Sequence, residues 1–336
     1  MLYTDHFGLR ERPFTLVPDP DFMFWSEQHR RAFTVLEYGI LSRAPITLLT
    51  GEIGAGKTTL VQAMLRHMED AVTVGLVSNA QGGRGELVSW VLSAFGLPQA
   101  GGYVEMFRTL EDFLISEYAA GRRVVLIFDE AQNLSAEGIE EVRLLTNINS
   151  GKDELVQLVL VGQPELKDMI AAPGMAQIAQ RVAAAFHLRR MNAPDVAEYL
   201  AHRMRHAGGT GAEFSGGAAA RIAEVTGGVP RLVNQVADMA LVYAWSNERT
   251  RIEREVVEEA LADGLFFWRR SDEDGAGEGV GEGSGEGGHE TGEASGGTAE
   301  PGGGPAGEPV PAPAQGSGRA RRAGPALVLR PVEGDR

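Results

Sequence analysis

The run Ile46-Thr47-Leu48-Leu49-Thr50-Gly51-Glu52-Ile53-Gly54-Ala55-Gly56-Lys57-Thr58-Thr59 decides the fold. Its first five residues are an apolar, strand-like stretch, and Thr58–His67 has helical spacing. Between them, Gly51 to Thr58 fits the pattern G-x-x-x-x-G-K-[ST], a phosphate-binding loop when a strand precedes it and a helix follows. Gly54 and Gly56 permit turns that aim successive backbone N–H groups at one anion. The helix beginning near Lys57 adds its positive end. Lys57 is then the mobile charge for β- and γ-phosphates, and Thr58 offers a hydroxyl to Mg²⁺. Thr59 is a further hydroxyl near the α-phosphate. The nucleotide-binding residues are thus Gly51, Glu52, Ile53, Gly54, Ala55, Gly56, Lys57, Thr58 and Thr59.

Outward from this loop, strand-like and helix-like segments alternate. Val72–Val77, Val124–Phe128, Val156–Val161 and Ala185–Leu188 read as further strands. Glu86–Phe95, Val104–Tyr118, Ala136–Asn147 and Pro164–Ile170 read as helices. Continuous apolar strands separated by helices predict a parallel sheet covered on both faces, an α/β class fold with five strands. After Met191 the strand signals stop. Pro194–Arg205, Ala218–Val225, Pro230–Ala244 and Glu253–Leu261 read as four helices, with Pro194 and Pro230 at first-turn positions. The expected division is 1–190 for the α/β nucleotide-binding domain, 191–268 for a helical lid and 269–336 for a tail.

Glycine and proline are concentrated in the tail. The chain has 336 residues, 44 glycines and a net charge of −15. The last 68 residues hold 19 of the glycines, 7 of the 16 prolines and a net −5, leaving −10 for the rest. That segment has few large apolar residues and is expected to be disordered. Its apolar cluster Ala326–Leu329 reads as a frayed terminus or a short docking motif. The absence of cysteine excludes disulfide scaffolds, thiolate zinc sites and cysteine nucleophiles. Neither a signal peptide nor a run long enough for a membrane span is present, so the expected location is cytoplasmic.

The strand Val124–Phe128 ends in Asp129-Glu130. Carboxylates at the carboxyl end of a parallel strand face the ligand crevice. Asp129 is the expected partner of Mg²⁺, and Glu130 the general base that polarises water. An acidic helix cap is the plainer reading of the pair alone. Gln163, after the fourth strand, reads as a water-orienting or sensing group, or as a turn residue before Pro164. Arg181 reads as a finger for a neighbouring subunit's nucleotide or as a surface arginine; Arg189 and Arg190 are weaker candidates. Arg231 opens a helix, where a cation opposes the helix dipole, so contact with the γ-phosphate across the crevice is the better reason for it. No N-K-x-D segment for guanine occurs, which favours ATP.

The assembled motifs resemble an AAA+ ATPase, more narrowly the ExeA/GspA-type family, over about Leu2 to Phe267. The distinctive parts are Tyr3–Phe14, Pro18-Asp19-Pro20, Ser26–Arg30, Leu36–Ile40, Asp129–Leu134 (D-E-A-Q-N-L), Gly162–Leu166 (G-Q-P-E-L), Gln180-Arg181 and Gly228–Arg231. The resemblance implies an ATPase core with a helical lid, with Lys57, Glu130, Gln163, Arg181 and Arg231 in catalysis and Thr58 and Asp129 on the metal. It implies Gln163 as sensor one, Arg231 as sensor two and Arg181 as the finger. It sets the amino-terminal segment beside the adenine, with Tyr38 and Gly39 plausible contacts there. Secretion-type relatives continue into a membrane span and a peptidoglycan-binding domain, whereas this sequence continues into the acidic tail.

Three functions compete. One is an ATP-hydrolysing, self-assembling switch acting on protein partners of secretion or exopolysaccharide export. The second is a DNA-dependent ATPase of the transposition-helper kind (MuB/TniB-like), kept open by the basic stripe His202-Arg203-Met204-Arg205-His206. The third, a non-catalytic scaffold, is disfavoured by intact Lys57, Asp129 and Glu130.

Overall fold

The computed structural model describes residues 3–68, 72–78, 86–150, 153–264 and 266. The described residues up to Gly264 form one compact unit. The expected disorder of 269–336 lies outside the described residues, as does the cluster Ala326–Leu329.

Five strands form one parallel sheet: β1 (Ile46–Gly51), β2 (Val72–Ser78), β3 (Arg123–Asp129), β4 (Val156–Gly162) and β5 (Val182–Leu188). Their spatial order is β2-β3-β4-β1-β5. Side chains alternate between the faces, as the pleat requires. Leu48, Leu126, Phe128 and Leu160 point to one side, where α3 (Glu86–Ala94), α4 (Tyr103–Ala119), α5 (Ala136–Leu145), α6 (Pro164–Ala171) and the short α7 (Ala176–Ala179) pack. Leu49, Val125, Ile127, Val159 and Val161 point to the other, against α1 (Glu27–Leu41) and α2 (Lys57–Arg66). Register brings the functional ends together: Thr50 pairs with Gly162, and Ser78 with Asp129. The connections leaving neighbours β1 and β4 run to opposite edges of the sheet, which opens a crevice at their carboxyl ends.

Four helices follow: α8 (Ala193–His206), α9 (Gly216–Thr226), α10 (Pro230–Ser246) and α11 (Arg254–Ala262). Asn192 and Asp195 form a capping box at α8, and Pro194 and Pro230 sit in first turns. All five expected strands and all nine expected helices are present. The sequence reading passed over α1, although Ser26 caps it and its buried Ala32, Leu36 and Ile40 follow helical spacing. It also passed over α7 and the two-stranded ribbon of Asn149–Ser150 with Asp153–Glu154.

The amino-terminal segment was expected within the α/β domain. Residues 3–15 instead lie along the four-helix part. Tyr3 and Arg12 both reach Asp238, Arg10 N donates to the Ala207 carbonyl at 2.7 Å, and Arg203 Nε donates to the Pro13 carbonyl at 2.6 Å. Asn234 Nδ2 donates to the Thr15 carbonyl at 2.9 Å. The segment returns to the sheet layer where Asp21 pairs with Arg66 of α2.

Gly39 is a structural contact. A Cβ there would fall 2.1 Å from Thr47 Oγ1 on β1. Gly39→Ala is therefore expected to destabilise the fold by about 1–3 kcal/mol through overpacking. Chemical denaturation followed by circular dichroism measures this, and an unchanged midpoint would refute it.

Candidate functional site

A cavity of about 300 Å³ opens where the phosphate loop, the amino-terminal segment and the helices α8 and α10 meet. One wall is the loop Ile53–Thr59, with Glu130 beside it. Another is residues 15–19 and 22–24, with Tyr199, Arg203, Pro230, Arg231 and Asn234 completing the surround.

The loop is built for an anion. Gly54 and Gly56 have φ of 77° and 92°, in the left-handed region that glycine occupies without strain. Gly56 is the N-cap of α2, and no side chain caps that end. The first amides of α2 are thus left for a ligand, at the positive end of the helix. Lys57 is buried at 5% exposure, and its Nζ donates to the Gly51 carbonyl at 2.7 Å and the Glu52 carbonyl at 2.9 Å. Burial pushes the Lys57 ammonium below the usual lysine range, opposed by Glu130, Asp129 and Glu52.

Thr58 Oγ1 donates to Asp129 Oδ2 at 2.8 Å, so the hydroxyl and the strand-end carboxylate stand side by side. Burial raises the Asp129 carboxyl above its ordinary range, while the Thr58 bond lowers it. A hydroxyl and a carboxylate are hard oxygen donors, and the pair fits a Mg²⁺ ion that takes its remaining ligands from phosphate and water. Among the described residues no cluster of three or more acidic or histidine side chains suits a metal, which such a site does not need.

Glu130 follows in a left-handed conformation, φ 56° and ψ 38°. Its Oε2 accepts from Gln132 Nε2 at 2.7 Å and from Gln163 Nε2 at 3.4 Å. Gln163 and Asp129 therefore stand next to the cavity lining rather than in it. Arg231 is exposed at the cavity rim and leans on the loop: a Cβ on Gly54 would come 2.6 Å from Arg231 Cβ.

Arg181 is elsewhere. It precedes Val182, which pairs with Ile46 at the start of β1, whereas the phosphate loop follows Gly51 at its end. Five residues of strand separate the two levels by roughly 17 Å. The Arg181 guanidinium donates to the Thr146 carbonyl at 2.8 Å and to Asn147 Oδ1 at 2.5 Å. Arg190 is 3.7 Å from Glu52 of the loop, and the Arg189 amide donates to Gln28. Tyr38 is 63% exposed on α1 and Gly39 packs on β1; neither of these two expected adenine contacts lines the cavity.

The local motifs do not reveal four further lining residues, His29 beside the phosphate loop and Tyr199, Arg203 and Asn234 from α8 and α10. His29 is buried, with Nε2 3.4 Å from the Ala55 carbonyl and Nδ1 2.7 Å from Ser26 Oγ. The carbonyl can only accept, so Nε2 carries the proton and Nδ1 accepts from the hydroxyl. Arg203 is 6% exposed and stacks over Phe22 at 4.4 Å. Tyr199 donates to Asn234 Oδ1 at 2.7 Å. The stripe His202–His206 is therefore not a continuous basic surface: Arg203 and Met204 are buried, and only Arg205 is exposed.

A strand-loop-helix phosphate cradle, a carboxylate pair on an adjacent parallel strand and a helical cap define a P-loop nucleotide-binding protein of the AAA+ class. An AAA domain family model matches residues 40–170. The chain is 36% identical over 253 residues to General secretion pathway protein A of Aeromonas hydrophila, across 75% of this chain and 46% of that protein. It thus spans about half the length of that relative. The chain belongs to the ExeA/GspA-type AAA+ ATPase family. Solved structures agree on the fold. Cdc6p of Pyrobaculum aerophilum superposes with a TM-score of 0.59 at 17% identity, covering 74% of this chain and 72% of that one. ORC2 of Aeropyrum pernix, in ADPNP–ADP complexes, gives 0.54 at 18%, covering 70% and 66%.

Burial holds the His29 imidazole below the ordinary histidine pKa, with the Ala55 carbonyl opposing. The contribution of a buried neutral histidine is fully present above its unfolded pKa of about 6.5 and is lost as pH falls below it, because the unfolded chain takes up the proton first. His29→Gln is expected to lessen the fall in stability between pH 7 and pH 5, by up to about 1.4 kcal/mol per pH unit. Denaturant titrations at several pH values test this, and parallel curves would refute it.

Proposed function

We propose that the chain is a Mg²⁺-dependent ATPase that assembles with itself and acts as a switch on protein partners of a secretion or export assembly, on the cytoplasmic side. The observation that carries the reading is the Thr58–Asp129 hydrogen bond at 2.8 Å, immediately beside Glu130 on the cavity wall. Residues Gly51 to Thr59 receive the phosphates, with the loop amides and the start of α2 as donors. Lys57 exchanges its carbonyl partners for β- and γ-phosphate oxygens. Thr58 and Asp129 would hold Mg²⁺, which when bound neutralises charge on the phosphates. Glu130 accepts a proton from the attacking water, and Gln163 orients that water. Arg231 reaches the γ-phosphate from the first turn of α10 and so links nucleotide state to the helical part. The base lies toward residues 15–24 and Tyr199.

Arg181 acts, on this reading, on a second copy's nucleotide, since about 17 Å of strand lies between it and its own loop. Its guanidinium then leaves the Thr146 carbonyl. The secretion context is supported by the likeness to General secretion pathway protein A. A DNA-dependent activity loses its main sequence support, because Arg203 is spent on Phe22 and Pro13. No helix among the described residues is long and apolar enough to cross a membrane.

Lys57→Ala is expected to abolish ATP binding. Glu130→Gln is expected to retain it while turnover falls about 10²- to 10⁴-fold. Calorimetry and phosphate release measure both, and wild-type turnover in Glu130→Gln would remove the proposed base. Arg181→Ala is expected to lose the activity that rises with protein concentration, and mixing it with Asp129→Asn subunits to restore part of it. No loss would reject the finger. The same assay with duplex DNA decides the partner class: strong, salt-sensitive stimulation would favour DNA.

A further inference from the structure

The proposed reaction leaves Gln132, beside Glu130, without a task. Gln132 lies in the short turn Ala131–Asn133, directly after the left-handed Glu130. Its Nε2 donates to Glu130 Oε2 at 2.7 Å. Its Oε1 accepts from the Gln163 backbone N–H at 3.0 Å. One amide therefore joins the end of β3 to the end of β4. The Gln163 side chain closes the ring, with Nε2 3.4 Å from the same Glu130 oxygen.

The neighbouring backbone is shaped to admit this bridge. A Cβ on Gly162 would stand 2.8 Å from Gln132 Oε1 and 2.7 Å from Leu166 Cδ2. Any larger residue at 162 would displace either the bridge or α6. The bridge also has a direction. A glutamine amide donates at one end and accepts at the other, and here the two ends match a carboxylate and a backbone N–H. Two donors on Oε2 fix the plane of the Glu130 carboxylate. Its other oxygen, Oε1, has no hydrogen-bond partner among the described residues and remains for a water.

We propose that Gln132 is a positioning residue that sets the orientation in which the Glu130 carboxylate meets the attacking water, and that carries a shift of the β4 end, at Gln163, to that carboxylate. This rests on the reading of Glu130 as the base. A displacement of Gln163 by the γ-phosphate pulls the amide of Gln132, and the carboxylate turns with it. The proton transfer stays with Glu130, and Gln132 touches no reacting atom.

Two variants of the full chain separate this role from a merely structural one. Gln132→Glu keeps an acceptor for the Gln163 N–H but loses the donor to Glu130. Gln132→Met loses both. Gln132→Glu is expected to melt with the wild type and to bind a non-hydrolysable ATP analogue with unchanged affinity. Its kcat is expected to fall about 10- to 100-fold, the scale of a misplacement of about 1 Å. Gln132→Met is expected to show the same loss in kcat. Added to Glu130→Gln, neither change should cause a further loss, because the two residues act as a unit. Wild-type kcat in Gln132→Glu, or a loss that adds in full to that of Glu130→Gln, overturns the proposal. So does a fall in Tm with parallel losses in analogue binding and kcat. If Glu130→Gln is inactive while the Gln132 variants turn over normally, only the bridge fails. If Glu130→Gln turns over normally, the base reading and the bridge fail together.

Discussion

Lys57 places an ammonium in a wall where only 5% of the residue is exposed, and both oxygens it reaches are carbonyls of its own loop. A buried cation without partners is costly, so the loop must curl until the Gly51 and Glu52 carbonyls meet it. That curl is affordable only with left-handed backbone at Gly54 and Gly56. The same curl turns the loop amides toward the cavity and leaves the start of α2 uncapped. Burial of Lys57 and openness of the amides are therefore one constraint seen from two sides. An incoming phosphate would relieve both, by offering oxygens to the ammonium and to the amides together.

The rest of the cavity depends on where strands end. Parallel pairing of β1 with β4, and of β3 with β4, sets Thr50 beside Gly162 and Asp129 within about one residue of that level. Carboxylates at that level lose solvent, which raises the Asp129 carboxyl and makes the Thr58 hydroxyl its compensation. Glu130 avoids the same burial by turning into the left-handed region, where Gln132 and Gln163 hold it. The two neighbouring acids thus occupy different environments, one sunk against a hydroxyl and one set on the cavity wall. On the proposed reading this difference separates the metal ligand from the base.

Strand and loop positions were legible because each strand is a continuous apolar run that ends in a turn or a charge. The phosphate loop and Asp129-Glu130 were legible because their chemistry is local in sequence. The far wall was not, because its contacts join residues far apart in the chain. Arg203 meets Pro13, Asn234 meets Thr15, and Gln132 meets Gln163. Some signal was available. Val196, Tyr199, Leu200, Met204 and Ala207 are buried at helical spacing, and Arg203 falls on that same face. The helical period, not the run of basic residues around it, fixes the side it faces. Its charge is housed by Phe22 and the Pro13 carbonyl, both supplied by a segment whose sequence looks like a signature rather than a structural element. Ser26 likewise announced α1, and with it the position of His29.

Close approaches at glycine show how tightly the helical part is geared to the loop. Gly54 admits Arg231 with no room for a methyl group between them. Gly228, with φ of 72°, would carry a Cβ only 1.8 Å from the Met191 carbonyl, at the junction where β5 gives way to α8. The loop and the start of α10 are in van der Waals contact, and packed contacts of this kind do not deform gradually. On the proposed reading, a phosphate that shifted the loop would press on Arg231 at the start of α10. The same helix also holds Thr15 through Asn234 and Tyr3 through Asp238. On the proposed reading, the wall that would receive the base and the helix that would meet the γ-phosphate are thus tied to each other through α10.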